Sequence, residues 1–481
     1  MKIYNTLTGQ KEEFVPQGDE VKMYVCGINP YSDSHIGHAM SYIFYDVVRR
    51  YLEFRDYKVR HVENITDIED NIIATANRLG ISVKELTEKY TERYFEDMDA
   101  LNILRAHIYP KATEEIPKII EVVQGLVDKG YAYESDGAVY FRVRNVPDYG
   151  KLSNRNLEAM MAGARIEPGD GKEHPMDFIL WKAAKPDEPS WESPWGQGRP
   201  GWHIECSAMS LRYLGETLDI HAGGQDLVFP HHENEIAQSE SFTGVKPFAR
   251  YWMHNGMVQL GKEKMSKSLG NLITIREALE KYSADAIRIF SLNSYYRGPL
   301  TYSEETLEAA ARGADRLRQA VQTIPGDGKA DKEIDTKSYR DGFIEAMNDD
   351  FNTAQALATL FDLAREINRF TDEGYGVAQG QQVLLEMAGV LGLTLEEPEK
   401  QVADADSIAS VYATIYQELD RAPAYNDSSD AEVMVNDLVN IRKKLREDKE
   451  WQKADMVRDR LDELGITLED TSQETVWKYK R

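Results

Sequence analysis

The feature of this sequence that most constrains its fold is a strand, a helix and a second strand that follow one another near the N-terminus. Residues 22–26 predict a short strand, and the polar residues 27–34 predict a loop. Apolar residues then recur at spacings of three and four as far as about Phe54, which predicts a helix with one apolar face. Residues 57–65 are rich in β-branched and aromatic side chains and predict a second strand. A βαβ unit of this kind implies a parallel sheet with a right-handed crossover.

The segment that follows this unit predicts an insertion into the sheet domain. A helical pattern over residues 113–129 ends at Gly130, and glycine favours the left-handed backbone conformation that commonly ends a helix. A hairpin is predicted to turn at Asp136 and Gly137. Residues 184–201 are dense in proline, glycine and tryptophan. We expect them to form a loop that returns to the main sheet near residues 201–206.

The rest of the chain is mostly helical in pattern after residue 264, with polar breaks at 325–328 and near 396–398. A chain of 481 residues exceeds what one hydrophobic core organises. We therefore predict three domains, which are residues 1–310 with an insertion at about 110–200, residues 311–397, and residues 398–481.

Charge and cysteine content narrow the classes of function. The formal net charge of -25 suppresses nonspecific binding to polyanions, so a nucleic-acid partner would have to meet a local basic surface. Only two cysteines occur, Cys26 and Cys206, which excludes a disulfide framework and makes each thiol a candidate for chemistry. The sequence has neither a long apolar run nor a secretory start. We expect a soluble cytoplasmic protein that does not associate with membranes.

The loop-to-helix junction carries His35-Ile36-Gly37-His38. A helix N-terminus offers free N–H groups and partial positive charge to a phosphate, and Gly37 has no side chain that would keep a nucleotide away. The two imidazoles can donate hydrogen bonds to charge that grows on an α-phosphate under attack. The alternative is that these are simply polar residues at the start of a helix.

A second candidate segment is Lys264-Met265-Ser266-Lys267-Ser268, which lies in a polar stretch after Gly261. Two lysines there could neutralise a pyrophosphate leaving group as its charge develops, which favours the transition state over bound ATP. The spaced glycines of a P-loop are absent. The alternative is a solvated basic loop.

Together, these two motifs resemble the HIGH and KMSKS elements of the class I aminoacyl-tRNA synthetases. Residues 23–27 (MYVCG), 201–209 (GWHIECSAM) and 229–238 (FPHHENEIAQ) resemble the cysteinyl branch of that family, and the resemblance runs essentially end to end. It implies an α/β fold with a Rossmann-like catalytic domain over 1–310, a DALR-like helical bundle over 311–397 and an anticodon-binding domain over 398–481. The implied activity is ATP-dependent activation of L-cysteine and its transfer to tRNA(Cys), by a monomer.

The resemblance also implies a metal site with one zinc ion per chain, bound by Cys26, Cys206, His231 and Glu235. On a helix, His231 and Glu235 are four residues apart and face the same way. A buried thiol pair beside a surface acidic helix is the alternative. Serine differs from cysteine by one atom, and packing alone discriminates so small a change by only about 1–3 kcal/mol. Zinc that admits the substrate sulfur would turn this difference into a difference in bonding.

The resemblance also implies a set of site residues. His35, His38, Lys264 and Lys267 are expected to be catalytic. Contacts to ATP, with Mg²⁺, are expected from His35, Gly37, His38, Gly224, Asp226, Lys264, Ser266 and Lys267. The cysteine substrate is expected to contact Gly27, Asn29, Thr66 and Trp202, although Trp202 could equally be core packing. The chain departs from the family pattern at Asn29, Asn71 and Ala222.

The C-terminal third predicts a role in binding tRNA. Residues 343–370 form a strongly amphipathic helical pattern, and residues 441–446 are the clearest basic cluster of the tail. Arg458 and Arg460 continue the positive charge, and Trp477 offers a stacking surface for an unstacked base. Basic runs of this kind are usually just helix faces.

Two rival functions stay open from the sequence. A cysteine ligase that joins cysteine to an amino sugar could share this active site, but would not need a helical module after residue 329. A non-catalytic RNA-binding paralogue would not need both motifs and the full set of candidate ligands.

Overall fold

The computed structural model describes residues 1–156, 171–186, 188–260, 263–264, 273–323, 332–396, 405–423, 425, 431–470 and 475–479. Two compact units divide the chain, residues 1–395 and residues 396–481. Within these described ranges, no helix combines the length and the apolar character that crossing a membrane requires.

The strands of the described residues run from β1 to β15: Lys2–Asn5, Gln10–Glu13, Glu20–Ile28, Lys58–Ile65, Ala132–Ser135, Ala138–Phe141, Phe178–Ala183, Gly198–Pro200, Leu218–Gly224, Ala249–Asn255, Val258–Leu260, Glu263–Lys264, Leu300–Tyr302, Ile466–Asp470 and Thr475–Tyr479. The α-helices of the same ranges, numbered α1 to α15, are Ile36–Phe54, Asp70–Leu79, Val83–Ala100, Ile116–Asp128, Trp202–Leu214, Glu233–Thr243, Ile275–Lys281, Ala284–Leu292, Glu304–Gln322, Thr336–Asn348, Thr353–Asp372, Ala378–Val390, Ala405–Glu418, Ala431–Glu447 and Trp451–Glu463. Short helical turns cover Ala112–Glu114, Val143–Asn145, Gln225–Leu227 and Val228–His232.

The N-terminal βαβ unit is present as the sequence predicts. Strands β3 and β4 are parallel neighbours joined by α1, whose apolar stripe includes the buried residues Ile36, Ile43 and Val47. The sheet has the order β10-β9-β3-β4 and is parallel throughout. The chain therefore leaves β3 toward one side and later returns on its other side, at β9. Such a reversal opens a crevice at the carboxyl ends of the two strands, where doubly wound sheets bind their ligands.

The insertion between β4 and β9 carries its own antiparallel sheet, in the order β5-β6-β7-β8. The predicted hairpin turn is confirmed, because Asp136 and Gly137 both have positive φ angles, of 52° and 76°. Gly130, with φ 78°, follows the helix α4 as predicted. Asp70 at the start of α2 pairs with Lys182 and Arg199 of the insertion.

One element at the end of the insertion was not predicted from the sequence. Residues 201–206 lie against the main sheet as expected, but they begin the helix α5, Trp202–Leu214, which packs on β3 and β4. Most of this helix is buried, from Ile204 through Ser210. A segment that is buried on nearly all sides shows no clear period of either type, so its pattern could not separate helix from strand.

Helices follow the sheet domain, and the predicted fold class, an α/β chain with a Rossmann-like parallel sheet and a helical region after it, is confirmed. Helices α9 to α12 pack on one another and share a hydrophobic core with α1 and the sheet. The described part of the second unit has a core of its own, which includes Ile408, Leu438, Leu445 and Val457 from the helices α13, α14 and α15.

Candidate active site and metal centre

A cavity of about 380 Å³ lies at the carboxyl ends of β3 and β9, where the strand order reverses. Its volume falls in the range of ordinary ligand pockets. Most of the site residues expected from the sequence line it: Cys26, Gly27, Asn29, His35, Gly37, His38, Trp202, Gly224 and Asp226. Residues distant in sequence are therefore brought to one place by the topology of the sheet.

The two histidines of the HIGH motif cap the helix α1 reciprocally. Nδ1 of His35 accepts a hydrogen bond from the backbone N–H of His38 (3.3 Å), and Nδ1 of His38 accepts one from the backbone N–H of His35 (3.2 Å). The two rings stack with centroids 3.8 Å apart. This arrangement is a capping box in which imidazoles replace the usual hydroxyl and carboxylate.

The cap fixes the tautomer of both rings. Because each Nδ1 accepts a hydrogen bond, the proton of each neutral ring lies on Nε2, which can act as a donor. Desolvation, with a smaller contribution from His35, lowers the pKa of His38 to about 3. His38 is therefore a neutral donor throughout the physiological pH range, placed beside the N-terminus of a helix and facing the cavity.

The residues that follow the KMSKS segment pair with the loop that carries HIGH. The backbone N–H of Ile36 donates to Ile273, and that of Ile275 donates to Ser34, at 3.0 and 2.9 Å. On the other side of the segment, Val258 of β11 lines the cavity. Lys264 ends β12, whereas Ser266 and Lys267 lie outside the described residues.

Gly27 is required where β3 ends beside β4. A Cβ atom at this position would lie 1.7 Å from the carbonyl oxygen of Asn64, so no other residue fits without moving the backbone. The Asn64 side chain accepts a hydrogen bond from the N–H of Gly27 (2.9 Å) and donates one to the Thr66 hydroxyl (3.1 Å). Thr66 is buried and does not line the cavity, so in this structure it supports the wall rather than forming it.

A buried group of possible metal ligands lies beside the cavity, and we call it the first set: Cys26, Cys206, His231 and Glu235. The candidate donor atoms all lie within 4.8 Å of one another. Nε2 of His231 is 3.1 Å from Oε1 of Glu235, and Nδ1 of His231 is 2.9 Å from Nδ1 of His203. Metal-binding histidines commonly have such an outer partner on the second nitrogen.

The charges within the first set are those that a divalent cation would complement. Hydrogen bonding from Cys26, with help from His231, lowers the pKa of Cys206 to about 6 despite burial. Burial would raise the pKa of Glu235, but His221 and His231 lower it to about 2. Burial opposes charge on His231, yet its hydrogen bonds to Cys206 and Glu235 raise its pKa to about 10. His231 therefore carries a proton between the Cys206 thiolate and the Glu235 carboxylate, at the place where zinc would bind instead. The sulfur, nitrogen and oxygen donors of the first set fit that metal.

The first set opens to the cavity through Cys26 and Trp202. Both residues line the cavity, and the Trp202 ring packs on that of His231 with centroids 4.4 Å apart. Trp202 is 39% exposed, which is unusual for a tryptophan whose role is core packing. An amino acid in the cavity would therefore contact the indole and reach toward the ligand cluster.

The comparisons with known proteins identify the family. Residues 13–312 match the model for the tRNA synthetases class I (C) catalytic domain, and residues 342–396 match the DALR domain. A cysteine–tRNA ligase of Dehalococcoides mccartyi is 58% identical over the full length of both chains, and one of Thermococcus onnurineus is 47% identical over 99% of each. The chain belongs to the cysteine–tRNA ligases.

Solved structures similar to this ligase share its fold. Mycobacterium tuberculosis methionyl-tRNA synthetase in complex with methionyl-adenylate has a TM-score of 0.56 at 16% identity, covering 78% of this chain and 90% of its own. An Agrobacterium radiobacter LeuRS in a ternary complex has a TM-score of 0.55 at 12% identity, covering 80% and 86%. These identities establish a class I synthetase fold and nothing finer.

Several residues of this cysteine–tRNA ligase were not singled out from its sequence. Near the first set lie further buried histidines, of which His221 and His232 face Cys26 or Glu235 and His254 stands behind His232. Ser41 and Asn255, which also line the cavity, hydrogen-bond to each other at 2.8 Å. The clustering of the histidines in the sequence could have identified them, since five of the ten histidines of the chain lie in the segment from His203 to His254, both included.

In the second unit of the ligase, the basic residues between 441 and 446 differ in their exposure to solvent. Lys443, Lys444 and Arg446 are exposed on α14, whereas Arg442 is buried and does not belong to the exposed basic face. Trp477 is half-buried, and its Nε1 donates to Asn436 (2.7 Å). Trp451, at the start of α15, is 55% exposed and was not identified from the sequence.

Proposed function

We propose that this chain joins L-cysteine to ATP, forming cysteinyl-adenylate and diphosphate, and then transfers the cysteinyl group to tRNA(Cys), releasing AMP. In this proposal one zinc ion, held by the first set, selects the substrate thiolate. The observation that carries the proposal is that the first set adjoins the cavity lined by the HIGH histidines. An α-amino acid bound beside Trp202 would then have its side chain at the ligand cluster and its carboxylate toward the nucleotide.

In the activation step, the groups that act on ATP are the capped histidines. The Nε2–H donors of His35 and His38 are aimed at the α-phosphate, where charge increases as the cysteine carboxylate attacks. The N-terminus of α1 adds its backbone N–H groups to the same anion. Lys264 and Lys267 are assigned to neutralising the diphosphate as it leaves, and Ser266 to a contact with the same group. Mg²⁺, when bound with ATP, would add positive charge there. Gly224 and Asp226 are assigned to the ribose side of the cavity.

Selection of the amino acid rests on the first set. Zinc, when bound, lowers the pKa of a thiol and binds the thiolate far more strongly than a serine hydroxyl. Trp202, Gly27 and Asn29, which all line the cavity, are assigned to contacts with the substrate cysteine. Thr66 acts by holding Asn64 and, through it, the end of β3 at Gly27.

Transfer to tRNA is assigned to the regions beyond the sheet domain. We propose a catalytic domain over residues 1–310 with its insertion at about 110–200, a helical bundle over 311–397 and an anticodon-binding domain over 398–481. In the last of these, Lys443, Lys444 and Arg446 offer exposed positive charge to phosphates. Arg458 and Arg460 on the next helix pair with Asp455, Asp459 and Glu418, so they contribute less. We further propose that the chain works as a cytoplasmic monomer.

The experiment that tests the proposal is ATP–diphosphate exchange, with cysteine and with serine, on protein of measured zinc content. We expect exchange that depends on cysteine, with serine near background, and a sharp fall in that preference for Cys206→Ala. Ser210→Ala, a change at a buried serine on the same helix, is the matched control and should retain the preference. Equal exchange with serine, or a zinc-free wild type that still prefers cysteine, would contradict zinc-based selection. Charging of tRNA(Cys) against an amino-sugar acceptor separates the ligase from its rival.

A further inference from the structure

A second group of buried ligands shares two members with the first set. We call it the second set: Cys26, His221, His232 and Glu235. Its candidate donor atoms also lie within 4.8 Å of one another. We propose that the second set is a second position for the same metal ion, occupied when a ligand of the first set is lost. The inference rests on the proposed zinc-dependent function and deepens it.

The shared ligands lie between the two positions. Glu235 directs Oε1 toward Nε2 of His231 at 3.1 Å and Oε2 toward Nε2 of His221 at 2.8 Å. Cys26 lies within reach of both sides, since its sulfur is 3.2 Å from Nε2 of His232 and it also contacts Cys206. A metal could therefore exchange Cys206 and His231 for the other two imidazoles while keeping its carboxylate and one thiolate.

His232 is oriented as a ligand would be. Its Nδ1 is 2.8 Å from Nε2 of His254, whose own Nδ1 is 2.8 Å from the Thr6 hydroxyl. When Thr6 accepts from His254, the proton of His232 lies on Nδ1 and the lone pair on Nε2 faces Cys26. Outer partners of this kind hold metal-binding imidazoles in the required tautomer.

His221 is held by packing instead. It is fully buried, and its ring stacks on Trp252 with centroids 4.4 Å apart and an interplanar angle of 17°. Among the residues that the structure describes, its Nδ1 has no hydrogen-bond partner, and its Nε2 points at Glu235. The ring is thus fixed with one nitrogen toward the shared carboxylate.

Ligand chemistry ranks the two positions. The first set offers two thiolates, one imidazole and one carboxylate, whereas the second offers one thiolate, two imidazoles and one carboxylate. Both are donor sets that zinc accepts, but the additional thiolate favours the first. The second position is therefore the weaker one, and it lacks the contact with Trp202 that links the first to the cavity. Loss of Cys206 should move the metal and abolish thiol selection without emptying the protein of zinc.

The test is metal binding by the full chain, measured as bound Zn²⁺ per chain and by the absorption of the Co²⁺-loaded protein. Wild type, Cys206→Ala, His232→Ala and the double variant Cys206→Ala/His232→Ala are compared. We expect Cys206→Ala to retain one metal per chain, bound at least about tenfold more weakly, with thiolate-to-cobalt absorption about half that of wild type because one thiolate remains. The double variant should lose the metal, and His232→Ala alone should bind like wild type.

The outcomes separate the two proposals. If wild type binds metal and Cys206→Ala binds none, the second position is wrong and the first set stands. If the double variant binds as tightly as Cys206→Ala, the second set is likewise wrong. A wild type without bound metal would overturn the proposed zinc function itself. Should Cys206→Ala fail to fold, His231→Ala removes a different ligand of the first set and should show the same retention, again lost on addition of His232→Ala.

Discussion

At the scale of single residues, the HIGH histidines serve two purposes that can be separated. Nδ1 of His38 belongs to the helix cap, and Nε2 is the donor that faces the cavity. An asparagine side chain places its oxygen near the position of Nδ1, whereas a glutamine places its amide near that of Nε2. The pair of substitutions therefore separates capping from donation.

We expect His38→Asn to keep the cap but to slow ATP–diphosphate exchange by about two orders of magnitude, the usual scale for one lost donor to developing charge. His38→Gln should keep more of the rate but lose up to about 1 kcal/mol of stability with the cap. Exchange kinetics and thermal melting of both variants measure this. If His38→Asn turned over at the wild-type rate, His38 would be a capping residue only.

Glu63 gives a prediction for the effect of pH on stability. Burial raises the pKa of this carboxyl to about 8, against the opposing effects of its hydrogen bond from Tyr94 and of Arg105. Between about pH 4.5 and 8 the folded state keeps the Glu63 proton while the unfolded state has lost it, so this group makes the protein less stable as the pH rises. Glu63→Gln removes that dependence.

The melting temperature of Glu63→Gln should therefore rise relative to wild type as the pH is increased from 5 to 8. The difference should grow by at most about 1.4 kcal/mol of unfolding free energy per pH unit, the limit for one proton. Thermal melts at several pH values in this range measure it. A difference that stays constant with pH would mean that Glu63 is ionised in the folded state.

At the scale of elements, a buried ion pair joins the helix α1 to the helices that follow the sheet. Arg288 of α8 is fully buried and bonds to Asp46 of α1 at 2.5 Å. Its guanidinium also donates to the carbonyls of Leu101, Asn102 and Leu391. One side chain thus holds together α1, the end of α3 and the end of α12.

We expect Arg288→Met to destabilise the protein by about 3–5 kcal/mol, because the buried Asp46 carboxylate would keep only the partly exposed Arg50 as a charged partner and the carbonyls of Leu101 and Leu391 would lose their donor. Arg50→Met is the matched control, since Arg50 pairs with the same carboxylate at 2.8 Å but is partly exposed. Chemical denaturation followed by circular dichroism measures both. If both variants lost the same free energy of unfolding, burial would not determine how much the Arg288–Asp46 ion pair contributes to stability.

At the scale of the whole molecule, the cavity and both ligand sets belong to the first unit. The C-terminal end of that unit is attached to the helix α8, because the backbone N–H groups of Thr394 and Leu395 donate to the Asp285 side chain at 2.9 Å. Its core is separate from that of the second unit. The chemistry of activation should therefore not need residues beyond 396.

A chain that ends at Glu396 should fold, bind zinc and catalyse ATP–diphosphate exchange at nearly the full rate, but should charge tRNA at least about two orders of magnitude less efficiently, a loss of nearly 3 kcal/mol in transition-state stabilisation. Exchange and aminoacylation by the same preparation measure this. Normal charging by the shortened chain would contradict the proposal that residues 398–481 bind the anticodon. Loss of exchange would show that the first unit needs these residues in order to fold.

The sequence by itself determined the features that depend on local pattern. The βαβ unit, the hairpin at Asp136 and Gly137 and the position of the HIGH histidines at a helix start follow from periodicity and turn chemistry, which act over a few residues. The first set was proposed from resemblance to a family, since its members are spread over more than two hundred positions. Local pattern did not identify the helix that carries Cys206, because a segment buried on most sides has no amphipathic period.

Only the tertiary structure decided which side chains meet. The contact of His221 with Glu235 and the burial of Arg442 both depend on packing between different elements. The second set is the clearest case, because Cys26 comes from β3, His221 from β9, and His232 and Glu235 from the turn and helix that follow. Their spacing in sequence carries no information about distance, and the order of strands in the sheet brings them within reach of one ion.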